Sequence, residues 1–245
     1  MSGSSAAAPG IHRFDALPST MDLLHQLAES GAPAGTVVVA AEQTAGRGAR
    51  GRRWQSPRGG LWMSLLLRPA REGTGLLSLR AGLAVAEALE GHHPGLGIGL
   101  KWPNDLIWRD RKVGGVLCEA RWSGDAPAWT AVGVGLNLQN RIPDDLAATA
   151  AALGSALSAL TPEAALALVL PGLRRLVGGT SCLEPGEQEA LARRDWLRGR
   201  RLQEPVPGVA EGIAEDGALL IREPDGRLAG LRAGTVRLAA GPAAP

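Results

Sequence analysis

Residues 36–54 read TVVVAAEQTAGRGARGRRW, a short apolar run that leads directly into a loop of glycine and arginine. The run 36–41 is rich in β-branched residues and predicts a buried strand. In the following segment, residues 46–54 (the Gly/Arg loop), three glycines let backbone N–H groups approach a ligand, and four arginines suit phosphate or carboxylate oxygens. The sequence therefore predicts an anion-binding loop at the end of a strand.

The Gly/Arg loop matches the pattern G-x-G-x-x-G but lacks the context of a dinucleotide-binding fingerprint. That fingerprint opens a helix, whereas residues 55–60 read QSPRGG and prevent one. The loop also lacks the Gly-Lys-Ser/Thr ending of a P-loop. A solvated basic loop that touches nucleic acid nonspecifically is the alternative at this point. Because the charges have no apolar anchor before Trp54, we expect the loop to be mobile without a ligand and to order upon binding.

The composition narrows the class of protein. With 245 residues, 45% hydrophobic and 20% charged, the chain is long enough for a large domain plus a small one and is not mainly disordered. The charges alternate in sign around a net +2, which argues against wholesale nucleic-acid binding. Two cysteines, no apolar run of about 20 residues and no signal peptide predict a cytoplasmic protein.

Patterns along the chain predict strands through the middle and a change of architecture near residue 199. Ser19 reads as a helix N-cap, with Asp22 at the position of a capping box, and Pro162 opens a later helix. Beyond residue 199, Asp-Gly pairs at 216–217 and 225–226 separate short strands as hairpin turns. We therefore expect a flexible tail and lead-in at 1–17, a catalytic domain at 18–198 and a small β domain at 199–245. Further strands are predicted at 61–67, 97–102, 113–121 and 129–138, with a helix between the first two that ends near residue 90.

Only two of the 26 basic side chains, Lys101 and Lys112, are lysines. They lie in one short segment, together with Asn104, one of three asparagines in the chain. Where arginine would serve for solubility, a retained lysine indicates a site that needs a compact ammonium. We therefore predict a catalytic site around residues 101–112.

Six segments, in their order and spacing, resemble the biotin protein ligases. They are Ser19-Thr20, Glu42-Gln43-Thr44-Ala45, the Gly/Arg loop, Lys101-Trp102-Pro103-Asn104-Asp105, Arg111-Lys112-Val113-Gly114-Gly115 and Gly133-Val134-Gly135-Leu136-Asn137. The resemblance implies an α+β fold: a mixed β-sheet backed by helices, akin to class II synthetase catalytic domains, plus a small C-terminal SH3-like β-barrel. With no DNA-binding segment before Pro18, the sequence is similar to members that only ligate and do not repress transcription.

The resemblance implies an ATP-dependent ligase that uses Mg²⁺. Biotin and ATP would form biotinyl-5′-AMP, and biotin would pass to the ε-amine of a lysine on a biotin carboxyl carrier domain of a biotin-dependent carboxylase. The expected partners include neither DNA nor a membrane, and the protein would be a monomer or a homodimer. The rival functions are a lipoate or octanoyl transferase of the same superfamily, and a binder of biotin or nucleic acid without chemistry. ATP-dependent pyrophosphate release would exclude the binder.

The same resemblance implies a role for individual residues in binding biotin. The hydroxyls of Ser19 and Thr20 and the amide of Gln43 offer the donors and acceptors that a ureido group needs. Glycines on the strands would let a flat ring lie on the backbone, although close strand packing would explain them equally. The full set implied for biotin is Ser19, Thr20, Met21, Gln43, Gly46, Arg47, Gly48, Ala49, Lys112, Gly115 and Gly133.

For catalysis the resemblance implies Lys112, Lys101 and Arg47, with Lys112 between the biotin carboxylate and the α-phosphate. Asp105 would help to place Mg²⁺, or it caps the turn after Pro103. The set implied for ATP and the adenylate is Arg47, Arg50, Arg52, Trp54, Asn104, Asp105, Lys112 and Asn137.

One position departs from the family pattern. The family loop usually carries Gly-Arg-Gly-Arg, and this chain has Ala49 at the fourth position. The departure predicts weaker biotin affinity or a leakier adenylate, unless Arg50 substitutes for the missing arginine.

Overall fold

A seven-stranded mixed sheet forms the centre of the protein. The computed structural model describes residues 9–68, 74–124, 126–176 and 181–239. The strands are β1 (Ile11–Leu17), β2 (Val37–Gln43), β3 (Leu61–Leu67), β4 (Gly99–Lys101), β5 (Asp105–Trp108), β6 (Arg111–Ser123) and β7 (Ala126–Leu136). Their order is β1-β2-β3-β7-β6-β5-β4, with β1 parallel to β2 and the other pairs antiparallel. This arrangement confirms the predicted mixed sheet.

Helices cover both faces of this sheet. The helices are α1 (Thr20–Glu29), α2 (Thr74–His92), α3 (Pro162–Arg174) and α4 (Pro185–Arg194). One face packs with α2, α3 and α4 in the main core, whereas α1 packs on the opposite face through Met21, Leu24 and Ala28. Because both faces are covered, every residue of β3 is buried. Among the described residues, no helix is both long and apolar enough to cross a membrane.

A second, antiparallel sheet follows α4. Its strands are β8 (Arg201–Glu204), β9 (Gly208–Ile213), β10 (Leu219–Arg222), β11 (Leu228–Leu231) and β12 (Arg237–Leu238), in the order β11-β10-β9-β8-β12. Both predicted hairpin turns are confirmed, since Gly217 and Gly226 have φ values of 80° and 88° that favour glycine. The indole of Trp102 donates a 2.9 Å hydrogen bond to the carbonyl oxygen of Gly217 and joins the two sheets. The α+β fold class is therefore confirmed, while the domain limits stay a prediction.

The expectation of a flexible lead-in up to residue 17 is wrong for residues 11–17, which form β1. This strand pairs with β2 along one edge of the sheet, and its side chains from His12 to Ala16 are exposed. An edge strand held by backbone hydrogen bonds needs no buried alternation, so it left no apolar signal in the sequence. Residues 1–8 lie outside the described residues. The four-residue strand β5 was also missed, because it is too short to show a period.

The predicted capping box at Ser19 is wrong. Ser19 stands at the N-cap with φ of −155°, but its side chain accepts no capping hydrogen bond. Instead, the backbone N–H of Thr20 donates to Gln43 Oε1 at 2.8 Å, and the carboxylate of Asp22 pairs with Arg47. The predicted helix start at Pro162 is confirmed, and the hydroxyl of Thr161 caps α3 by accepting from the N–H of Ala164.

Candidate active site

A cavity of about 490 Å³ lies between α1, the Gly/Arg loop and strands β6 and β7. This volume falls within the usual range of small-molecule sites. The cavity brings together most of the residues that the sequence predicted for biotin and ATP. They are Ser19, Thr20, Met21, Gln43, Arg47, Gly48, Ala49, Arg52, Trp54, Lys101, Asn104, Asp105, Lys112, Gly115, Gly133 and Asn137. Two predicted residues, Gly46 and Arg50, are not part of its wall.

Two glycines of β7 line the cavity, and other side chains pack so closely against them that a larger residue would not fit. A Cβ atom at Gly133 would lie 3.0 Å from Met21 Sδ. At Gly135 it would lie 2.7 Å from Trp54 Nε1, a separation that real Cβ atoms do not show. Larger residues here would displace Met21 or the indole of Trp54 and narrow the cavity.

Neutral hydrogen bonds fix one end of the cavity, formed by Ser19, Thr20 and Gln43. The hydroxyl of Thr20 lies 2.8 Å from Ser64 Oγ and also donates to Gln43 Oε1. The amide nitrogen of Gln43 donates to Ser56 Oγ at 2.8 Å, so the protein satisfies both ends of this amide. Ser19 Oγ, in contrast, is buried and has no hydrogen-bond partner in the protein. This hydroxyl is therefore the group here that most needs a ligand partner.

The Gly/Arg loop folds as a small hairpin. The N–H of Trp54 donates to the carbonyl oxygen of Gly46 at 2.9 Å, and a Cβ at Gly46 would lie 2.4 Å from the carbonyl oxygen of Trp54. Gly46 therefore closes the loop. Arg50 has φ of 60° and donates to the hydroxyl of Thr235, just before β12. Arg50 thus contacts the segment before β12 and does not line the cavity, and the ordering of the loop upon binding stays a prediction.

Two carboxylates hold Arg47 at the cavity wall. Its guanidinium donates to Asp22 on α1 at 2.6 Å and to Glu119 on β6. Glu119 also lies 3.2 Å from His25 Nε2, and the indole of Trp129 donates to His25 Nδ1. Because an indole N–H only donates, Nδ1 is the acceptor and Nε2 carries the proton toward Glu119. This bond from His25 and the charge of Arg47 lower the pKa of Glu119.

The two lysines lie close together at the other end of the cavity. Lys112 Nζ is 2.5 Å from Asp105 Oδ1 and 4.8 Å from the centre of the Trp54 ring. Lys101 ends β4, and burial lowers its pKa, with Asp105 opposing this effect and the charges of Lys112 and Arg52 adding to it. A concentrated positive charge held this close together favours an anionic ligand.

Both asparagines predicted for ATP make bonds within the protein. The side-chain NH2 of Asn104 donates to the carbonyl oxygen of Val116 at 2.8 Å and ties the turn before β5 to β6. Asn104 therefore positions its neighbours. The side-chain oxygen of Asn137 accepts from Asn140, an interaction that aligns the amide of Asn137 at the cavity wall.

Eight residues of the segment 140–150, together with Asp110 and Trp196, also line the cavity and were not predicted. Within this segment, the carbonyl oxygen of Thr149 accepts a 2.8 Å hydrogen bond from the backbone N–H of Lys112. The one available signal in the sequence was Asn140, since asparagine is otherwise confined to two predicted site residues. Trp196 gave no signal, because it lies 84 residues beyond Lys112 in the chain.

The described residues do not form a complete metal site on their own. In the part of the chain that the structure describes, no group of three or more His, Cys, Asp or Glu is placed to hold a metal ion. Asp105 is paired with Lys112, so a magnesium ion here would depend on the phosphate oxygens of its nucleotide for most ligands.

The fold and the cavity together define the class of protein as an enzyme. Its cavity is lined by neutral polar groups at one end and by lysines at the other. Residues 13–137 match the Biotin/lipoate A/B protein ligase family, and residues 198–236 match the Biotin protein ligase C terminal domain. The chain belongs to the biotin protein ligase family.

Three similar proteins illustrate the relationship. The bifunctional ligase/repressor BirA of Bacillus subtilis is 35% identical over 225 residues, 86% of this chain and 69% of that protein. The biotin–acetyl-CoA-carboxylase ligase of Paracoccus denitrificans is 37% identical over 78% of this chain and 85% of its own. The structure of the Aquifex aeolicus biotin protein ligase with biotin and ATP superposes with a TM-score of 0.80 at 28% identity, covering 94% of this chain and 99% of that chain.

Proposed function

We propose that the cavity binds biotin at its neutral end and ATP at its cationic end. The chain is a biotin protein ligase, which forms biotinyl-5′-AMP and then transfers biotin to a lysine of a protein. The single observation that carries this assignment of ends is that one cavity joins the unpaired Ser19 hydroxyl to both lysines. The neutral bicyclic head of biotin would contact the Ser19 hydroxyl, and the charged phosphates of ATP would contact the lysines.

At the neutral end, Ser19 is proposed to hydrogen-bond the ureido group directly. Thr20 and Gln43 bond each other, so their main role is to hold this wall in position. Met21 and Gly133 would flank the ring system, with Gly115 leaving room along β6. Gly48 and Ala49 would lie over the ligand from the loop.

At the cationic end, Lys112 is proposed to exchange its contact with Asp105 for the negative charge of the reacting groups. A carboxylate oxygen of biotin attacks the α-phosphorus, the bond to the bridging oxygen breaks, and pyrophosphate leaves. An amine of the acceptor then attacks the acyl carbon and AMP leaves, with the amine proton passing to solvent. Lys112 would neutralise the charge that develops at the α-phosphate.

The remaining residues would orient the nucleotide. Lys101 and Arg52 would bind phosphate oxygens, Asn137 would bond the adenine edge, and Trp54 would cover the adenylate. Arg47 would contribute only after leaving Asp22 or Glu119. Magnesium would arrive with ATP, and Asp105 is the proposed protein ligand once Lys112 has turned toward the substrate.

The proposed acceptor is the biotin carboxyl carrier domain of a biotin-dependent carboxylase. Support comes from the names of relatives in Paracoccus denitrificans and Mycobacterium tuberculosis, both biotin–acetyl-CoA-carboxylase ligases. We propose the cytoplasm as the compartment, because a chain with only two cysteines does not depend on a disulfide framework. A monomer or a homodimer stays the prediction for the assembly.

The test is to incubate the purified protein with biotin, Mg-ATP and a biotin carboxyl carrier domain and to follow adenylate and acceptor by mass spectrometry. We expect the mass of biotin on the acceptor lysine. Lys112→Ala should slow adenylate formation by about 10²–10³-fold, as expected for loss of a charge that stabilises the transition state. Arg111→Ala, which removes a neighbouring cation outside the cavity wall, serves as the matched control.

Two outcomes would overturn the proposal. If the acceptor gained mass only with lipoate or octanoate, the neutral end would bind another acid. If Lys112→Ala and Arg111→Ala were equally active, the charge at residue 112 would not act in the reaction.

A further inference from the structure

Trp196 connects the cavity to the start of the C-terminal sheet. Its side chain forms part of the cavity wall, and its backbone N–H donates to the carbonyl oxygen of Leu100 in β4 at 3.0 Å. The indole Nε1 donates to Asp110 Oδ1 at 2.8 Å, in the turn between β5 and β6. Trp196 is therefore attached to β4, which carries Lys101, through its backbone, and to the turn before β6, which carries Lys112, through its ring.

Lys101 is the cation that this ring contacts. Lys101 Nζ lies 5.5 Å from the centre of the Trp196 ring, within the range of a cation–π interaction. The carboxylate that raises the pKa of Lys101, Asp105, is already paired with Lys112 at 2.5 Å. Within the described residues, Lys101 makes no salt bridge to a carboxylate of its own. The aromatic face therefore supports a cation whose electrostatic surroundings are mainly unfavourable.

Arg200 and Asp110 fix the orientation of the ring. Arg200 Cζ lies 3.9 Å from the ring centre, its Nε donates to the carbonyl oxygen of Trp196, and its NH2 group donates to Asp110 at 2.8 Å. The hydrogen bond from Trp196 and the contact with Arg200 also lower the pKa of Asp110, which keeps this anchor charged. Asp110 thus holds the indole at its edge, and Arg200 packs on its face.

We propose that Trp196 is a positioning residue for Lys101, and that Asp110 and Arg200 hold its ring in the required orientation. The inference rests on the role proposed for Lys101 in binding ATP. Arg200 directly precedes β8, so the chain that enters the C-terminal sheet also braces the cationic end of the cavity. This gives the C-terminal part of the protein a function in the first half-reaction.

A double-mutant cycle on the full chain tests the proposal through the rate of pyrophosphate release from biotin and Mg-ATP. Trp196→Leu should slow this step roughly tenfold, the size expected for a partly desolvated cation–π contact, without changing the affinity for biotin. In a Lys101→Met background, the same substitution should cost no more than about twofold, because the cation it positions is gone. Trp196→Phe keeps an aromatic face and should recover part of the rate.

Trp122→Leu is the matched control, since Trp122 lies on β6 with 65% of its surface exposed and outside the cavity wall. An equal slowing by Trp196→Leu in both backgrounds would overturn the inference, because the ring would then act without Lys101. If Trp196→Leu does not fold, Trp196→Phe and Asp110→Asn complete the same cycle. A normal rate in Lys101→Met would overturn the role of Lys101 itself, whereas a slow Lys101→Met with an unaffected Trp196→Leu would overturn only the positioning role.

Discussion

The two ends of the cavity are held by different interactions. At the neutral end, Thr20 and Ser64 are buried and joined by hydrogen bonds between uncharged groups. At the cationic end, Lys112 pairs with Asp105, and in the Gly/Arg loop Arg47 pairs with Asp22 of α1, with all four side chains partly exposed. The neutral end is built before any ligand enters, while the cationic end keeps its charges occupied with the protein's own carboxylates.

This difference determines what binding has to change at each end. Buried hydrogen bonds hold their geometry because breaking one leaves an unsatisfied polar group, at a cost of about 1–3 kcal/mol. Partly exposed ion pairs are worth only about 0–1 kcal/mol, so an incoming phosphate can replace a carboxylate at little cost. We therefore expect rigid recognition of biotin and an exchange of ion pairs around ATP.

The largest effect in this comparison is expected at Ser19. Ser19→Ala should weaken biotin binding by roughly tenfold, because a ligand group would then be buried without its hydrogen bond. Stability should change by less than about 0.5 kcal/mol, because the Ser19 hydroxyl has no partner in the protein and makes no helix cap. Calorimetric titration with biotin and thermal unfolding measure the two quantities.

Thr161→Ala is a control for which the reverse result is expected, a loss of stability without a loss of biotin affinity. Thr161 caps α3 and lies outside the cavity wall, so this variant should lose about 1 kcal/mol of stability and bind biotin normally. If Ser19→Ala instead lost stability and kept its affinity, the hydroxyl would belong to the fold and not to the ligand site.

The contrast between Ser19 and Thr161 also shows what the sequence could predict. Both residues carry a hydroxyl and stand directly before a helix, and only the structure distinguishes the true cap from the unpaired hydroxyl. Local patterns were sufficient to predict β3 with its observed bounds. They were also sufficient for the turns at Gly217 and Gly226, because the positive φ of these turns favours glycine.

The sequence did not predict roles that depend on partners far along the chain. Trp196 meets Asp110 across 86 positions, and Arg47 meets Glu119 across 72. Such contacts depend on the order of strands in the sheet, so they produce no recognisable spacing of residues in the sequence. The rarity of lysine did locate two residues of the cavity wall, while a need for chemistry that arginine does not supply stays a prediction.

Activity at the cationic end should depend on pH. Burial lowers the pKa of Lys101, and the charge of Arg52 lowers it further. Because the charged form is disfavoured, Lys101 loses its proton at a lower pH than the ordinary value of 10.5. If this charge binds ATP, the rate of adenylation should fall on the alkaline side before that pH. Pyrophosphate release measured across pH gives the profile.

Arg52→Gln should move this alkaline limb to higher pH, whatever its effect on the maximal rate. Arg53→Gln, a change at the adjacent position whose charge does not contribute to the shift at Lys101, should leave the limb in place. A limb that stayed fixed in Arg52→Gln would assign it to a group other than Lys101.

The smallest expected effect concerns Ala49, which lies on the cavity wall where the family usually carries arginine. Arg50 is hydrogen-bonded to Thr235, and Arg47 reaches a ligand only by exchanging its pair with Asp22 or Glu119, so an arginine at position 49 would add a contact that needs no such exchange. Ala49→Arg should therefore slow release of biotinyl-5′-AMP by about threefold to fivefold, as one partly exposed charge contact is worth up to about 1 kcal/mol. The release rate is measured by chasing the preformed adenylate complex with excess biotin and sampling it by mass spectrometry.

Ala49→Gln is the control, because it supplies length without charge, and it should release the adenylate as the unsubstituted protein does. Equal release from all three proteins would mean that the closed hairpin of the loop, and not an arginine at position 49, retains the intermediate.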